Sequence, residues 1–219
     1  MIDVKFLPEK LKSAQVIVVI DVLRATTTMI TAIANGCEYI IPVQSVNDAK
    51  VYGKEFLVCG ERNGIKPEGF DKGNSPLEYF DVEDKKIVLT TTNGTKTLKM
   101  VEGLSDKIIL GAFINFSATL NVLKDYSDIL FVCAGNDNEI SFEDLQVAGA
   151  FVDRLFWNLS DSAKALKYMW NALKKPNFSG VHALKLKELG FERDLDFAMS
   201  MDLYNIVVEY KDGKVVKGG

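Results

Sequence analysis

The sequence is poor in the residues that build zinc sites and histidine-dependent hydrolases. It contains one histidine, His182, and three cysteines, Cys37, Cys59 and Cys133, none of them in CxxC spacing. A zinc site takes several histidine or cysteine ligands, so this scarcity excludes a multi-histidine zinc centre. The GxSxG and HExxH motifs are absent as well. Because Cys59 and Cys133 end apolar runs, we expect reduced cysteines with structural roles.

The sequence also lacks long apolar runs and basic clusters. No run approaches the ~20 apolar residues needed to cross a bilayer, and the first residues lack the basic-then-apolar layout of a signal peptide. The formal net charge is −4, without a basic stripe of the kind that binds nucleic acid. We therefore expect a cytoplasmic protein with no membrane or nucleic-acid partner. A homodimer is the candidate assembly.

Short apolar runs of strand length alternate with helical patterns along most of the 219 residues. Strands are predicted at residues 16–20, 39–43, 56–59, 86–92, 108–110 and 128–133, and a hairpin at residues 205–216. Helices are predicted at residues 26–35, 45–52, 95–101, 115–123, 142–159, 161–173, 181–189 and 195–201. This alternation is typical of an α/β fold with three layers, in which largely parallel sheets carry helices on both faces. We predict one unit over residues 1–219, made of two α/β lobes with a boundary near residues 81–85.

Polar and charged residues follow the predicted strands at the points where the strands end. Asp21 and Arg24 follow the strand at 16–20, and Glu61 and Arg62 follow the strand at 56–59. In an open parallel sheet these ends share one edge, where helix N-termini favour anions. Carboxylates next to arginines, hydroxyls and open helix starts suit a divalent cation plus a phosphorylated anion. Oxygen ligands with almost no histidine favour Mg²⁺ over zinc.

Some of these charged residues also have a structural interpretation. Arg24 could serve as a salt-bridge partner of Asp21. The stretch from Ser141 to Asp144 fits a capping box, so a helix cap explains Asp144 at least as well as a ligand role does. Glu143, which the box does not need, is the better functional candidate.

The other polar residues have structural alternatives of the same kind. Thr26 and Thr95 fit plain helix caps, and Asn93 with Gly94 fits a tight turn. His182 belongs to a lysine-rich helical pattern and is expected to be structural. The acidic residues expected to be capping or solvated are Asp194, Asp196 and Asp202.

Several stretches resemble the 2-phosphosulfolactate phosphatase (ComB) family. The longest are VIDVLRATT at residues 19–27 and GERNGIKPEGFDKGNSP at residues 60–76. TTTNGT at 90–95, CAG at 133–135, FED at 142–144 and GVHAL at 180–184 are also similar, and residues 136–140 are assigned no role. The resemblance implies a two-lobed α/β fold and a Mg²⁺-dependent phosphatase. Its substrate would be the small phosphorylated sulfonate (2R)-2-phospho-3-sulfolactate, cleaved to (2R)-3-sulfolactate and phosphate as in coenzyme M biosynthesis.

The patterns and the resemblance together give each candidate residue an expected role. The expected catalytic residues are Asp21, Arg24, Glu61, Arg62, Asn93 and Glu143. The expected substrate-binding residues are Thr26, Thr27, Thr92, Gly94, Thr95, Asn115 and Gly135. The expected Mg²⁺ ligands are Asp21, Glu61, Glu143 and Asp144. The two arginines would clamp anionic groups, and the amide, hydroxyl and N–H donors would stabilise the transferring phosphoryl oxygens.

Two hydrolytic routes and two other functions stay open. Asp21 attacks phosphorus directly, or a carboxylate activates a water molecule. The other functions are a phosphatase for a different small phosphoester and a non-catalytic binder of a phosphorylated or sulfonated anion. The surplus of carboxylates disfavours the binder, since they repel an anion unless a metal is present. A nucleotide kinase is weaker still, because the Gly94 region lacks the adjacent Gly-Lys pair of a P-loop.

Overall fold

The computed structural model describes residues 1–219, which form nine strands in one sheet. The strands are β1 Ile2–Lys5, β2 Val16–Ile20, β3 Tyr39–Val43, β4 Phe56–Gly60, β5 Lys86–Thr90, β6 Ile108–Leu110, β7 Ile129–Cys133, β8 Val208–Lys211 and β9 Lys214–Lys217. The helices are α1 Ala25–Ala34, α2 Val46–Lys50, α3 Gly94–Val101, α4 Phe116–Leu123, α5 Phe142–Asp153, α6 Asp161–Leu173, α7 Val181–Glu188 and α8 Glu192–Met199. Short 3₁₀ turns occupy Pro76–Glu78 and Phe113–Asn115.

The sheet consists of two parallel groups joined by an antiparallel hairpin. Its strand order is β1-β7-β2-β6-β8-β9-β3-β5-β4. Strands β1, β7, β2 and β6 pair in parallel, as do β3, β5 and β4, whereas β8 and β9 pair antiparallel to each other and to both neighbours. The predicted α/β class with a largely parallel sheet is therefore confirmed. The predicted hairpin exists, and it lies at the middle of the sheet.

The core explains why the central strands are apolar along their whole length. Every residue of β2 and β7 is buried, and α1 and α5 are buried almost all round. A strand reads as continuously apolar when both faces of the sheet are covered. One apolar cluster of 55 buried residues runs through both parallel groups. No helix is both long enough and apolar enough to cross a membrane.

The predicted and observed elements differ most around the sheet edge at β1. The helix predicted at residues 142–159 ends at Asp153, because the following segment pairs with β1 instead. The main-chain N–H of Ile2 donates to the Asn158 oxygen, and the Ser160 N–H donates to the Ile2 oxygen. Ser160 then caps α6. The stretch 81–85 leads into β5, and the proposed two-lobe boundary there stays a prediction.

Candidate active site

The carboxyl ends of strands from both parallel groups converge on one cavity. It has an empty volume of about 420 Å³, including its open mouth. Five strand spacings separate β2 from β5 in the strand order, so a flat sheet would hold these strands about 24 Å apart. Yet a Cβ added at Gly94, just after β5, would lie 2.6 Å from the Asp21 carboxylate that follows β2. The chain after β5 therefore reaches across to the end of β2, and the cavity forms where the ends of the two groups meet. The titratable residues that line it are Asp21, Arg24, Glu61, Asp137, His182 and Lys185.

Asp21 lies at the floor of this cavity, only 5% exposed. The Ala25 N–H at the start of α1 donates to its Oδ1 over 3.3 Å, and the first residue of α3, Gly94, lies against its Oδ2. Two helix N-termini therefore face one carboxyl group, where their dipoles favour negative charge. Burial nevertheless raises the pKa of Asp21 to about 7; the Glu61 charge acts in the same direction, while the Ala25 N–H and Arg24 oppose it. This carboxyl group exchanges its proton near neutral pH.

Arg24 is held in the cavity wall by a buried carboxylate from a distant part of the chain. Its Nη1 lies 2.7 Å from Asp194 Oδ2, and its Nη2 donates to the Gly64 oxygen over 2.7 Å. Its guanidinium lies 4.1 Å from the centre of the Phe191 ring, and the Leu23–Arg24 peptide bond is cis. The alternative of an Asp21–Arg24 salt bridge is therefore wrong.

Asp194 is 2% exposed and also accepts a 2.6 Å hydrogen bond from Ser75 Oγ. The expectation that Asp194 is solvated or only caps a helix is wrong. Asp194 is instead buried behind the cavity as the ion-pair partner of Arg24.

Glu61 ties together the loops that follow β4 and β5. Its Oε1 accepts from the Thr92 N–H over 2.6 Å, and its Oε2 accepts from the Gly64 N–H over 2.8 Å and from Thr92 Oγ1 over 3.2 Å. Arg62, the next residue, does not line the cavity. Its guanidinium donates to the main-chain oxygens of Glu61 and Gln44 and to Thr90 Oγ1. These hydrogen bonds within the protein occupy the guanidinium.

Asp144 and Glu143, adjacent at the start of α5, face different surroundings. Asp144 Oδ1 accepts from the Val22 N–H over 2.9 Å and Oδ2 from the Gly135 N–H over 3.2 Å, so this carboxylate joins the loops after β2 and β7. Burial and the nearby Asp21 charge raise its pKa well above the usual range. Half of the predicted capping box is confirmed: Ser141 Oγ accepts from the Asp144 N–H over 3.2 Å, whereas the Asp144 carboxylate bonds to Val22 and Gly135 and not back to Ser141.

Glu143 is fully buried next to a second cavity that adjoins the first. Its Oε1 accepts from the Gly180 N–H over 2.7 Å, whereas its Oε2 has no hydrogen-bond partner. Burial raises the pKa of this carboxyl group. The structure thus brings Asp21 and Glu61 into one cavity, places Glu143 beside it and leaves Asp144 within the protein.

Some of the expected substrate-binding residues lie at the cavity, and the others hold the surrounding loops. Thr92, Asn93 and Gly94 lie at the cavity or directly against Asp21. The others make hydrogen bonds that hold neighbouring loops: Thr26 to the Gly111 oxygen, Thr27 to the Val22 oxygen, Thr95 to the Thr91 oxygen, Asn115 to the Leu110 oxygen and Gly135 to Asp144.

Residues outside the expected set also line the cavity. His182 and Lys185 reach it from α7, and Asn136 and Asp137 reach it from the stretch to which no role was assigned. Burial, and then the charge of Arg24, lower the pKa of His182 to about 4. Asn74 also lines the cavity, and it belongs to the long glycine-rich stretch that carries the resemblance. The glycine-rich stretch at residues 60–76 could have indicated Asn74 as a site residue, and the GVHAL stretch at residues 180–184 could have indicated His182.

The donor set at the cavity fits Mg²⁺ better than a metal that needs a full protein cage. No group of three or more histidine, cysteine, aspartate or glutamate side chains is arranged to hold an ion. Mg²⁺ commonly takes only one or two carboxylates and completes its shell with water and phosphate oxygens. Asp21 and Glu61 meet that requirement, because both line the cavity and the Glu61 charge helps to raise the pKa of Asp21, a repulsion that a bound cation would relieve. Asp144 fits less well, because it does not line the cavity; both of its oxygens, like those of Glu61, already accept main-chain N–H groups.

The sequence matches a family model described as 2-phosphosulpholactate phosphatase over residues 2–213. It is 43% identical over 223 residues to a probable 2-phosphosulfolactate phosphatase of Pseudothermotoga lettingae, covering 99% of both chains. Proteins with the same description in Thermotoga maritima and Clostridium novyi are 42% and 38% identical, covering 97% and 95% of this chain and 96% and 94% of theirs. These matches extend over almost the whole length of the chain. The chain belongs to the 2-phosphosulpholactate phosphatase family, whose members are phosphoric monoester hydrolases.

Proposed function

We propose that this protein is a Mg²⁺-dependent phosphatase that hydrolyses (2R)-2-phospho-3-sulfolactate to (2R)-3-sulfolactate and inorganic phosphate. The observation that carries the proposal is the geometry of the cavity, where the buried Asp21 carboxyl group faces the N-termini of two helices and Arg24 and Lys185 line the same space. The descriptions of the relatives support the choice of substrate. We extend the proposal to a cytoplasmic reaction of the kind used in coenzyme M biosynthesis.

The charges of the cavity suit a small substrate with several anionic groups. Arg24 presents a guanidinium fixed by Asp194, and Lys185 adds a second cation near the mouth, 3.9 Å from Asp137. A guanidinium is well matched to the paired oxygens of a phosphate, carboxylate or sulfonate. A substrate with phosphate, carboxylate and sulfonate groups could contact both cations at once.

Different residues of the cavity have different roles in phosphoryl transfer. Asp21, oriented by the Ala25 N–H, either attacks phosphorus or accepts a proton from the attacking water. Asn93 lines the same cavity as a hydrogen-bond donor, and Glu61 fixes the Thr92 loop by accepting both donors of Thr92. Mg²⁺, held by Asp21 and Glu61, would neutralise phosphate oxygens, which is the main requirement of this chemistry.

Phosphate release from synthetic (2R)-2-phospho-3-sulfolactate tests the proposal. We expect release with Mg²⁺, loss of activity in EDTA and recovery when Mg²⁺ is restored. Asp21→Asn should lower kcat by at least about 1,000-fold. Release unchanged by EDTA would contradict the metal requirement. Faster release from another small phosphoester would reassign the substrate, and binding without release from any ester would favour the anion-binding alternative.

Rapid-quench labelling with ³²P-substrate separates the two roles of Asp21. An attacking carboxylate leaves a labelled, base-labile acyl phosphate on the protein during turnover. An absence of label in an active enzyme, together with an inactive Asp21→Asn variant, favours direct attack by water.

A further inference from the structure

Asn74 presents an unused amide to the cavity. Its side chain is only 5% exposed and belongs to the lining. The side-chain Oδ1 is buried with no hydrogen-bond partner, and the hydrogen bond made at this residue goes from Thr28 Oγ1 to the main-chain oxygen. Buried amides in folded proteins are almost always hydrogen-bonded, so one without a partner calls for an explanation.

The main chain on both sides of Asn74 is held firmly. Tyr79 donates a 2.6 Å hydrogen bond to the Gly73 oxygen, and Thr28 donates a 2.8 Å hydrogen bond to the Asn74 oxygen. On the other side, Ser75 is fixed by its 2.6 Å hydrogen bond to Asp194, the carboxylate that holds Arg24. Because these contacts come from three separate parts of the chain, the main chain at Asn74 is fixed before any ligand arrives.

Asn115 shows what a structural asparagine looks like in this protein. It is also buried, but its Oδ1 accepts from the Ala112 N–H over 3.0 Å and its Nδ2 donates to the Leu110 oxygen over 3.1 Å. Both ends of that amide are used inside the fold. The amide of Asn74 makes no such contribution, so the fold itself does not account for it.

We propose that Asn74 is a substrate-binding residue whose side-chain N–H₂ donates a hydrogen bond to an anionic phosphate or sulfonate oxygen of the ligand. The inference rests on the proposed function and adds a specificity-determining contact to it. The cavity already contains the carboxylates of Asp21 and Glu61. A neutral amide donor can bind an oxygen of the anionic ligand without forming an ion pair with either carboxylate. No hydrogen bond within the protein uses the N–H₂ group of Asn74, so this donor is available to a ligand in the cavity that Asn74 lines.

Kinetics of Asn74→Asp and Asn74→Ala test the proposal. Asn74→Asp keeps the shape but replaces the donor with a carboxylate, so we expect KM for (2R)-2-phospho-3-sulfolactate to rise at least about tenfold. Asn63→Asp, which adds the same charge at an exposed position of the same cavity, should change KM much less. Equal effects of the two aspartate variants, or an unchanged KM in Asn74→Asp, would overturn the proposal.

Thermal unfolding of the alanine variants distinguishes binding from a structural role. Asn74→Ala removes an amide without partners, so its Tm should equal or exceed that of the wild type. Asn115→Ala should lower Tm, because it leaves two main-chain groups without partners. A fall in Tm for Asn74→Ala as large as that for Asn115→Ala would mean that Asn74 is structural.

Calorimetry keeps this inference separate from the proposed function. If the wild-type protein releases no phosphate from the substrate, the proposed function fails. Binding of inorganic phosphate and of (2R)-3-sulfolactate then tests Asn74 alone. Weaker binding of either ligand by Asn74→Asp than by Asn63→Asp supports the inference, and equal binding or no binding to the wild type overturns it.

Discussion

At the scale of the residue, Asp21 illustrates a conflict between stability and function. The fold favours its protonated form, because burial raises its pKa from 3.8 to about 7. A raised pKa in the folded state gives stability that is fully present below the unfolded value. That stability is lost as pH rises through about 7, so the charged Asp21 of the metal-free protein costs stability in mildly alkaline buffer.

Asp21→Asn should therefore stabilise the metal-free protein while abolishing its activity. One pKa unit corresponds to about 1.4 kcal/mol, so we expect a gain on the order of a few kcal/mol at pH ~8 that shrinks towards pH ~4. Urea unfolding in EDTA at both pH values measures it. The exposed Asp196→Asn is the control and should show no such pH dependence. A gain that is equal at both pH values would contradict the role of ionisation.

The buried pair of Arg24 and Asp194 gives a second prediction at this scale. Asp194→Ala leaves the Arg24 guanidinium buried without its carboxylate, which should cost about 3–5 kcal/mol of unfolding free energy and lower activity. The double variant Arg24→Met with Asp194→Leu should recover most of the stability but none of the activity. Urea titration and phosphate release measure the two effects. Recovered activity in the double variant would show that the guanidinium is dispensable.

At the scale of the element, the approach of α3 to Asp21 depends on a residue without a side chain. A Cβ at Gly94 would lie 2.4 Å from the Ala25 Cβ and 2.6 Å from Asp21 Oδ2. Neither neighbour is the flexible end of a long side chain, so α3 would have to move away from α1. The glycine therefore sets how closely two helix N-termini approach one carboxylate.

Gly94→Ala should destabilise the protein by about 1–3 kcal/mol through overpacking and should lower kcat more than it raises KM. Gly53→Ala is the matched control, because its added Cβ meets nothing within 4 Å. Circular dichroism during urea unfolding and steady-state kinetics check both effects. A fully active Gly94→Ala would show that the close contact is not needed for catalysis.

The elements that carry the site were predictable because their signals are local. Asp21 follows five consecutive apolar residues, which identify β2 as a strand covered on both faces. The partner of Arg24 was not predictable, since Asp194 lies 170 positions away along the chain. Nor does the local pattern separate Arg24, which faces the cavity, from Arg62, which is used by main-chain oxygens. Both are arginines that follow a strand, and only the packing of distant segments distinguishes them.

At the scale of the whole molecule, the β8–β9 hairpin joins the two parallel groups into one sheet. Val208 and Val215 are fully buried, and Val215 lies opposite Ile40 of β3. One continuous core predicts a single cooperative unfolding transition. Asp21 from one group and Glu61 from the other line the same cavity, as the expectation of a shared edge predicted, although the antiparallel hairpin lies between their strands.

Val215→Asp should weaken this junction by more than about 3 kcal/mol, because it buries a carboxylate without a partner. Lys217→Asp places the same group at an exposed position of the same strand and should cost far less. Urea unfolding followed by tryptophan fluorescence measures the difference. Equal stability of the two variants would mean that the hairpin is not part of the cooperative core.

The position of the hairpin has a consequence for how the chain is made. Strands β8 and β9 come after all the others in the chain, yet they lie between β6 and β3. During synthesis, both parallel groups leave the ribosome before the segment that connects them, and β6 and β3 then carry unpaired main chain at open edges. The catalytic cavity, which draws on both groups, is completed only when the last strands arrive. Nascent chains just short of that length are the form most exposed to aggregation and most dependent on chaperones.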